Sequence, residues 1–123
     1  MDKKKILIVD DERDIRKMLR LRLEALNYEV EEASNGSEGL DKARSIEPDL
    51  IILDLMLPKI DGFKVCRMLK FDNKHKHIPV IMFTASADAK NAEIGKEVCA
   101  DAYILKPFEM QELLNKIEKL LGT

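Results

Sequence analysis

Short apolar runs alternate with amphipathic stretches five times along the chain. Ile6 to Val9, Tyr28 to Ala33, Leu50 to Leu53, Val80 to Phe83 and Ala102 to Leu105 have the length and side-chain character of strands. Between and after them apolar positions recur at helical spacing. Ile15, Leu19, Leu23 and Leu26 mark one helical face, Leu40, Ala43 and Ile46 a second, and Met110, Leu113, Leu114, Ile117, Leu120 and Leu121 a wide last stripe. Residues 89–98 form the weakest of five expected helices, because few apolar positions recur there and Gly95 costs about 1 kcal/mol relative to Ala. Strand and helix in alternation predict an α/β fold whose parallel sheet is covered on both faces.

Three runs, Ile6-Leu7-Ile8-Val9, Leu50-Ile51-Ile52-Leu53 and Val80-Ile81-Met82-Phe83, are apolar at every position, as strands buried on both faces must be. Tyr28-Glu29-Val30-Glu31 alternates, which places the second strand at an edge with one face partly wet. These features predict a flavodoxin-like, doubly wound five-stranded sheet in the order 2-1-3-4-5 with five flanking helices. Its ligand crevice would lie beyond the carboxyl ends of strands 1 and 3.

The polar residues collect at those ends. Asp10 and Asp11 follow the first strand, Asp54 ends the third, Thr84 the fourth, and Lys106 the fifth. Strands 1, 3, 4 and 5 would be consecutive neighbours just under ~5 Å apart, so these side chains can share one pocket. Each close carboxylate pair there would repel by about 4 kcal/mol at ~4 Å and an effective dielectric near ~20. A cation must offset that repulsion. Magnesium fits, being a hard ion that takes one or two carboxylates and keeps waters and phosphate oxygens, whereas calcium wants more protein ligands.

In such a site Asp54 is the candidate nucleophile, a carboxylate able to attack phosphorus, with Asp10 and Asp11 holding the ion. Lys106 would offer a point charge to one phosphoryl oxygen and Thr84 a hydroxyl to another. Singly, each residue has a plainer reading: Asp11 and Thr84 as helix caps, Asp54 before Pro58 as the start of a turn, Lys106 as a solvated charge. Jointly those readings fail, because caps have no reason to fall at the ends of four adjacent strands with a Lys facing the acids.

Composition narrows the setting. At 123 residues and 46% hydrophobic, the chain is the size of one domain, and 21 basic against 23 acidic residues leave a net charge of only −2. No global field then recruits nucleic acid or an anionic membrane. The N-terminal apolar run is too short for a signal peptide, and no segment approaches a membrane span, so a cytoplasmic protein without membrane contact is expected. Cys66 and Cys99 have neither disulfide nor zinc spacing and are expected as buried thiols. The six methionines read as core filler, and His75 and His77 as an exposed loop without metal.

Ile8-Val9-Asp10-Asp11-Glu12, Asp54-Leu55-Met56-Leu57-Pro58 running to Asp61-Gly62, Phe83-Thr84-Ala85, and Tyr103 three residues before Lys106-Pro107-Phe108 together resemble the CheY-like response-regulator receiver family. The resemblance covers essentially the whole chain. It implies that Asp11 and Asp54 ligate Mg2+ directly, that Met56 adds its backbone carbonyl, and that Asp10 acts largely through water. It further implies phosphorylation of Asp54 by a sensor histidine kinase or phosphotransfer protein, a cis Lys106-Pro107 bond, and a switch in which Thr84 and Tyr103 remodel the surface of the fourth helix, fifth strand and fifth helix. Such a domain is no enzyme beyond its own phosphoryl transfer and dephosphorylation.

Two departures from the family pattern refine the expectation. DNA-binding relatives carry an acidic residue before the Tyr and a basic one late in the last helix, where this chain has Ala102 and Glu118. A monomeric single receiver domain over residues 1–123 is therefore expected, with no output domain, no direct nucleic-acid contact and a protein as its downstream target. Met56 and Ser86 stand where relatives place groups that orient attacking water, which predicts slow self-dephosphorylation. Kinase specificity is expected in the first helix and the loop after Lys106, at Ile15, Met18 and Phe108.

Rival readings fare worse. A flavin or nucleotide site would need a Gly- or hydroxyl-rich loop where Asp10-Asp11-Glu12 stands. An aspartyl phosphohydrolase would need a general acid near the place of Met56. A receiver cut from a larger regulator and a phosphate-independent interaction module remain as alternatives.

Overall fold

The computed structural model describes residues 3–84 and 100–122. Its elements are β1 (Lys5–Val9), α1 (Arg13–Ala25), β2 (Glu29–Ala33), α2 (Gly36–Ile46), β3 (Leu50–Asp54), α3 (Gly62–Lys70), β4 (Val80–Thr84), β5 (Ala102–Leu105) and α4 (Met110–Leu121). The expected helix over residues 89–98 lies outside the described residues, as do Ser86 and Cys99. Four helices stand among those described.

All strand pairs are parallel, and the sheet runs β2-β1-β3-β4-β5, the order expected for a doubly wound sheet with a peripheral second strand. Each strand presents one row of side chains to either face. Leu7, Val9, Ile51, Leu53 and Met82 pack on Leu40 and Ala43 of α2 and Val65 and Leu69 of α3. Ile6, Ile8, Ile52, Ile81 and Phe83 pack on Leu19 and Leu23 of α1 and Leu113 and Ile117 of α4. Each such aliphatic side chain contributes about 1.5–3 kcal/mol by leaving water. Helices cover both faces of β1, β3 and β4, which is what makes those runs uniformly apolar.

Local chemistry ends the elements where the chain must turn. Asn35 caps α2 by accepting from the Glu38 amide at 2.9 Å, while the Glu38 carboxylate accepts from the Ser34 amide at 2.7 Å. Asp61 caps α3 through the Lys64 amide at 3.0 Å. Glu12 is the residue before α1, and no side chain caps that helix, so Asp11 is not spent as a cap.

Two expectations need correction. His75 is buried rather than exposed: its Nδ1 meets Asp72 Oδ2 at 2.7 Å, and the turn closes with the amides of His75 and Lys76 both donating to the Asp72 carbonyl. Flanking lysines made the stretch look solvated, but the carboxylate three residues back supplies a polar partner and buried Ile78 draws the turn inward. The His75 hydrogen bond holds the Asp72 carboxyl below the usual carboxylate range. His77 is exposed as expected. The methionines divide: Met82 is core, whereas Met18, Met56 and Met68 are exposed. Cys66 is a buried thiol.

Candidate functional site

β3 and β4 each run one residue past their apolar stretch, so Asp54 and Thr84 are themselves ladder residues, opposite Phe83 and Leu105. Their placement is set by the sheet rather than by a mobile loop. Asp10 follows β1 and is tied to the neighbouring strand by its amide, which donates to the Ala33 carbonyl at 3.1 Å. Asp10, Asp54 and Thr84 are at most 5% exposed, while Asp11 stands at the open rim.

One oxygen from each of Asp10, Asp11 and Asp54 lies within 4.8 Å of the others. Lys106 reaches into this cluster from the end of β5, its Nζ 3.0 Å from Asp10 Oδ2 and 3.5 Å from Asp54 Oδ2, with Glu12 Oε1 at 3.9 Å. The Lys106 amide donates to the Thr84 carbonyl at 2.7 Å, which extends the β4-β5 ladder up to the lysine. The Lys106-Pro107 bond is cis, as the resemblance implies. The ammonium also lies 5.6 Å from the centre of the Phe83 ring, which stacks obliquely on Phe108 at 4.8 Å.

Burial pushes the Asp54 carboxyl above the ordinary range, and the charge of Asp10 adds to it. Lys106 and the Met56 amide, which donates to Asp54 Oδ1 at 3.1 Å, work the other way without cancelling it. For Lys106, burial disfavours the charge, but the hydrogen bond to Asp10 and the charges of Asp10, Asp54 and Glu12 outweigh it, so its pKa is raised. With the three clustered aspartates Asp10, Asp11 and Asp54 ionised against the Lys106 ammonium, two negative charges are left in excess among them. That is the charge a divalent cation would neutralise.

The loop after β3 is shaped by close backbone approaches. The Leu55 amide donates to the Phe83 carbonyl, the Gly62 amide returns to the Leu55 carbonyl, and Lys59 takes the left-handed conformation at φ 69°. A Cβ on Gly62 would sit 2.3 Å from the Asp54 carbonyl oxygen, so only glycine lets α3 begin here. Met56 leaves its amide in the pocket and points a 70% exposed side chain away from the core. Tyr103 lies apart from the acids, opposite Met82 in the β4-β5 register and partly buried against the α2 and α3 side of the sheet.

Ile15, Met18 and Phe108 line an open groove of about 490 Å³ with Glu12, Lys106 and Pro107. Phe108 and Ile15 also pack against the core, while Met18 is 42% exposed. Sequence reasoning missed Arg16, whose guanidinium donates to the Asp10 carbonyl at 2.8 Å, and Glu32, which pairs with it at 3.0 Å. No local signal marks them, since only the fold sets β2 beside α1.

A doubly wound parallel sheet with acids and a lysine gathered at its switch point places the chain in the flavodoxin-like class of α/β domains. The chain belongs to the response regulator receiver domain family, whose model matches residues 6–118. It is 44% identical over 117 residues to the transcriptional regulatory protein ResD of Bacillus subtilis (strain 168), a match covering 95% of this chain and 48% of ResD. The chain spans about half the length of the curated relatives it matches. Among solved structures it resembles the chemotaxis response regulator CheY4 of Vibrio cholerae, with TM-score 0.91 and 33% identity over 98% of this chain and 100% of CheY4. It also resembles the receiver domain of sensor histidine kinase PA1611 from Pseudomonas aeruginosa PAO1, with TM-score 0.90 and 25% identity over 99% of this chain and 100% of that one; its structure has a magnesium ion coordinated in the active site cleft. Among the described residues, no helix is long and apolar enough to cross a membrane.

Proposed function

We propose that this receiver domain is phosphorylated on Asp54 in the presence of Mg2+ and signals through the surface around β5 and α4. The observation that carries this reading is the convergence of Asp10, Asp11 and Asp54 within 4.8 Å with Lys106 between the two buried acids. The donor set fits the ion, because carboxylate oxygens around an excess of two negative charges suit a hard divalent cation. Asp10, Asp11 and Asp54 would hold it, with the Met56 carbonyl as a backbone ligand. When bound, the ion supplies charge neutralisation for the attacking carboxylate and the incoming phosphoryl oxygens.

The chain's own residues perform the rest. An Asp54 carboxylate oxygen forms the new bond to phosphorus as the bond to the donor histidine of a kinase or phosphotransfer protein breaks, and the departing imidazole nitrogen keeps the bonding electron pair. Lys106, positioned by the β4-β5 ladder, turns its ammonium from Asp54 to a phosphoryl oxygen, and Thr84 donates its hydroxyl to another. Fixed placement on strand ends lowers the cost of orientation. Tyr103 on β5 answers the movement of Thr84, so the readout is a protein-binding surface.

The domain acts in the cytoplasm as a monomer, without direct nucleic-acid contact, and its only catalysis is on its own acyl phosphate. Incubation with Mg2+ and a small phosphodonor, followed by intact-mass measurement, should add one phosphoryl group. The gain should vanish with chelator and in Asp54→Asn. No addition to the wild-type chain would leave a phosphate-independent interaction module as the better reading, and addition that survives Asp54→Asn would move the acceptor to another residue.

A further inference from the structure

We propose that Arg16 is a positioning residue for the divalent-cation site, acting through the backbone of Asp10. This rests on the reading of Asp10, Asp11 and Asp54 as the cation's holders. Asp10 is fixed at four points: its amide by the Ala33 carbonyl, Oδ1 by the Glu12 amide at 2.9 Å, Oδ2 by Lys106, and its carbonyl by Arg16 Nη1 at 2.8 Å. Only the last grips the peptide that joins Asp10 to Asp11. Rotation of that peptide plane would redirect both carboxylates at once, so its orientation decides whether they converge.

Arg16 can serve as a clamp because its other end is anchored. Its Nε donates to Glu32 Oε1 at 3.0 Å, and its side chain is only 16% exposed. The second carboxylate oxygen of Glu32 accepts from Arg20, which also donates to the Val30 carbonyl at 2.8 Å. Lys42 of α2 donates to the Glu32 carbonyl. The edge strand is thus held from α1 and α2, and the guanidinium fork transmits that rigidity to the β1-α1 turn. A lysine has one nitrogen and cannot span both the Asp10 carbonyl and Glu32 in this way.

Charge alone predicts the opposite outcome. A cation beside a cation site repels the ion, so removing Arg16 would tighten Mg2+ binding if only its charge mattered. Positioning predicts weaker binding. Calorimetric titration of MgCl2 into the full chain, with thermal unfolding of each metal-free variant alongside, separates the two. Arg16→Met and Arg16→Lys should each weaken Mg2+ binding about tenfold, the scale of outer-sphere ligand support. Arg20→Met, which breaks a pair with the same Glu32 but does not touch Asp10, should keep wild-type affinity while losing a comparable amount of thermal stability.

Unchanged or tighter binding in Arg16→Met, wild-type affinity in Arg16→Lys, or equal weakening in Arg20→Met would overturn the proposal. If Arg16→Met does not fold, Arg16→Lys and Glu32→Ala decide it, the latter weakening binding by removing the anchor. A wild-type chain that binds no Mg2+ would overturn the cation site itself, an outcome distinct from a bound ion indifferent to Arg16.

Discussion

Asp54 sits at the end of a buried strand with a second buried carboxylate nearby and one shared ammonium. Its raised pKa means that the metal-free fold binds this proton more tightly than the unfolded chain does. In the unfolded chain Asp54 titrates at its ordinary value, so between that value and the raised one the native state holds the extra proton. This group's contribution to stability is therefore greatest below that window and falls as pH rises through it. Asp54→Asn removes the ionisable group. At neutral pH and without divalent cation it should be more stable than wild type by about 1 kcal/mol, roughly 4 °C in Tm. Thermal unfolding across pH should show the difference shrinking as the solution is acidified toward the ordinary carboxylate range.

Met56 governs the lifetime of the acyl phosphate under the proposed function. Its amide serves the site, but its exposed thioether cannot direct a water at the acyl phosphate. Met56→Asn should hydrolyse its phosphoryl group severalfold faster than wild type, as followed by the decay of phosphorylated mass; equal lifetimes would count against this role. The reactive residues themselves were legible in the sequence because acids and a lysine at the ends of apolar runs have few plain explanations together. His75 was not legible. Its burial depends on a turn that gives it Asp72 as a partner, and nothing in Lys74-His75-Lys76-His77 announces that contact.

Alternation of apolar runs and helical stripes located all nine described strands and helices or the gaps they fill; uniform against alternating polarity separated interior strands from the edge strand β2, and the common doubly wound topology supplied the rest of the order. Periodicity works here because the two faces of the sheet impose it. Loops escape such reading, since their shapes follow from backbone contacts with distant residues. Gly62 is the clearest instance: its motif was visible, but its reason is the Asp54 carbonyl that a Cβ would strike. Gly62→Ala should destabilise the domain by about 1–3 kcal/mol, because the obstruction is backbone and not a yielding side chain. Urea unfolding should register this as a lower midpoint with an unchanged slope. A neutral substitution would mean that the loop after β3 tolerates displacement and does not fix Asp54.

Across the whole molecule, membership of the receiver family settles the fold and the kind of signalling, while the partners stay open to the proposal above. ResD is named as a transcriptional regulator and is about twice as long as the match, so its name describes more than the segment shared with this chain. Ala102 and Glu118 carry no opposite-charge pair for a dimer of the kind expected in DNA-binding relatives. Sedimentation velocity should accordingly show a monomer both before and after phosphorylation. A dimer appearing only with the phosphodonor would contradict that reading of the β5 and α4 surface.

Under the proposed function, one carboxylate of the Asp10, Asp11 and Asp54 group becomes an acyl phosphate. Borohydride reduction of the phosphorylated chain, followed by peptide mapping, tests it most directly, since an aspartyl phosphate is trapped as homoserine at the residue that carried it. Homoserine should form at position 54 alone, and only when Mg2+ and phosphodonor are both present. Trapping at Asp10 or Asp11, or a phosphate that resists reduction and maps to a hydroxyl side chain, would contradict it.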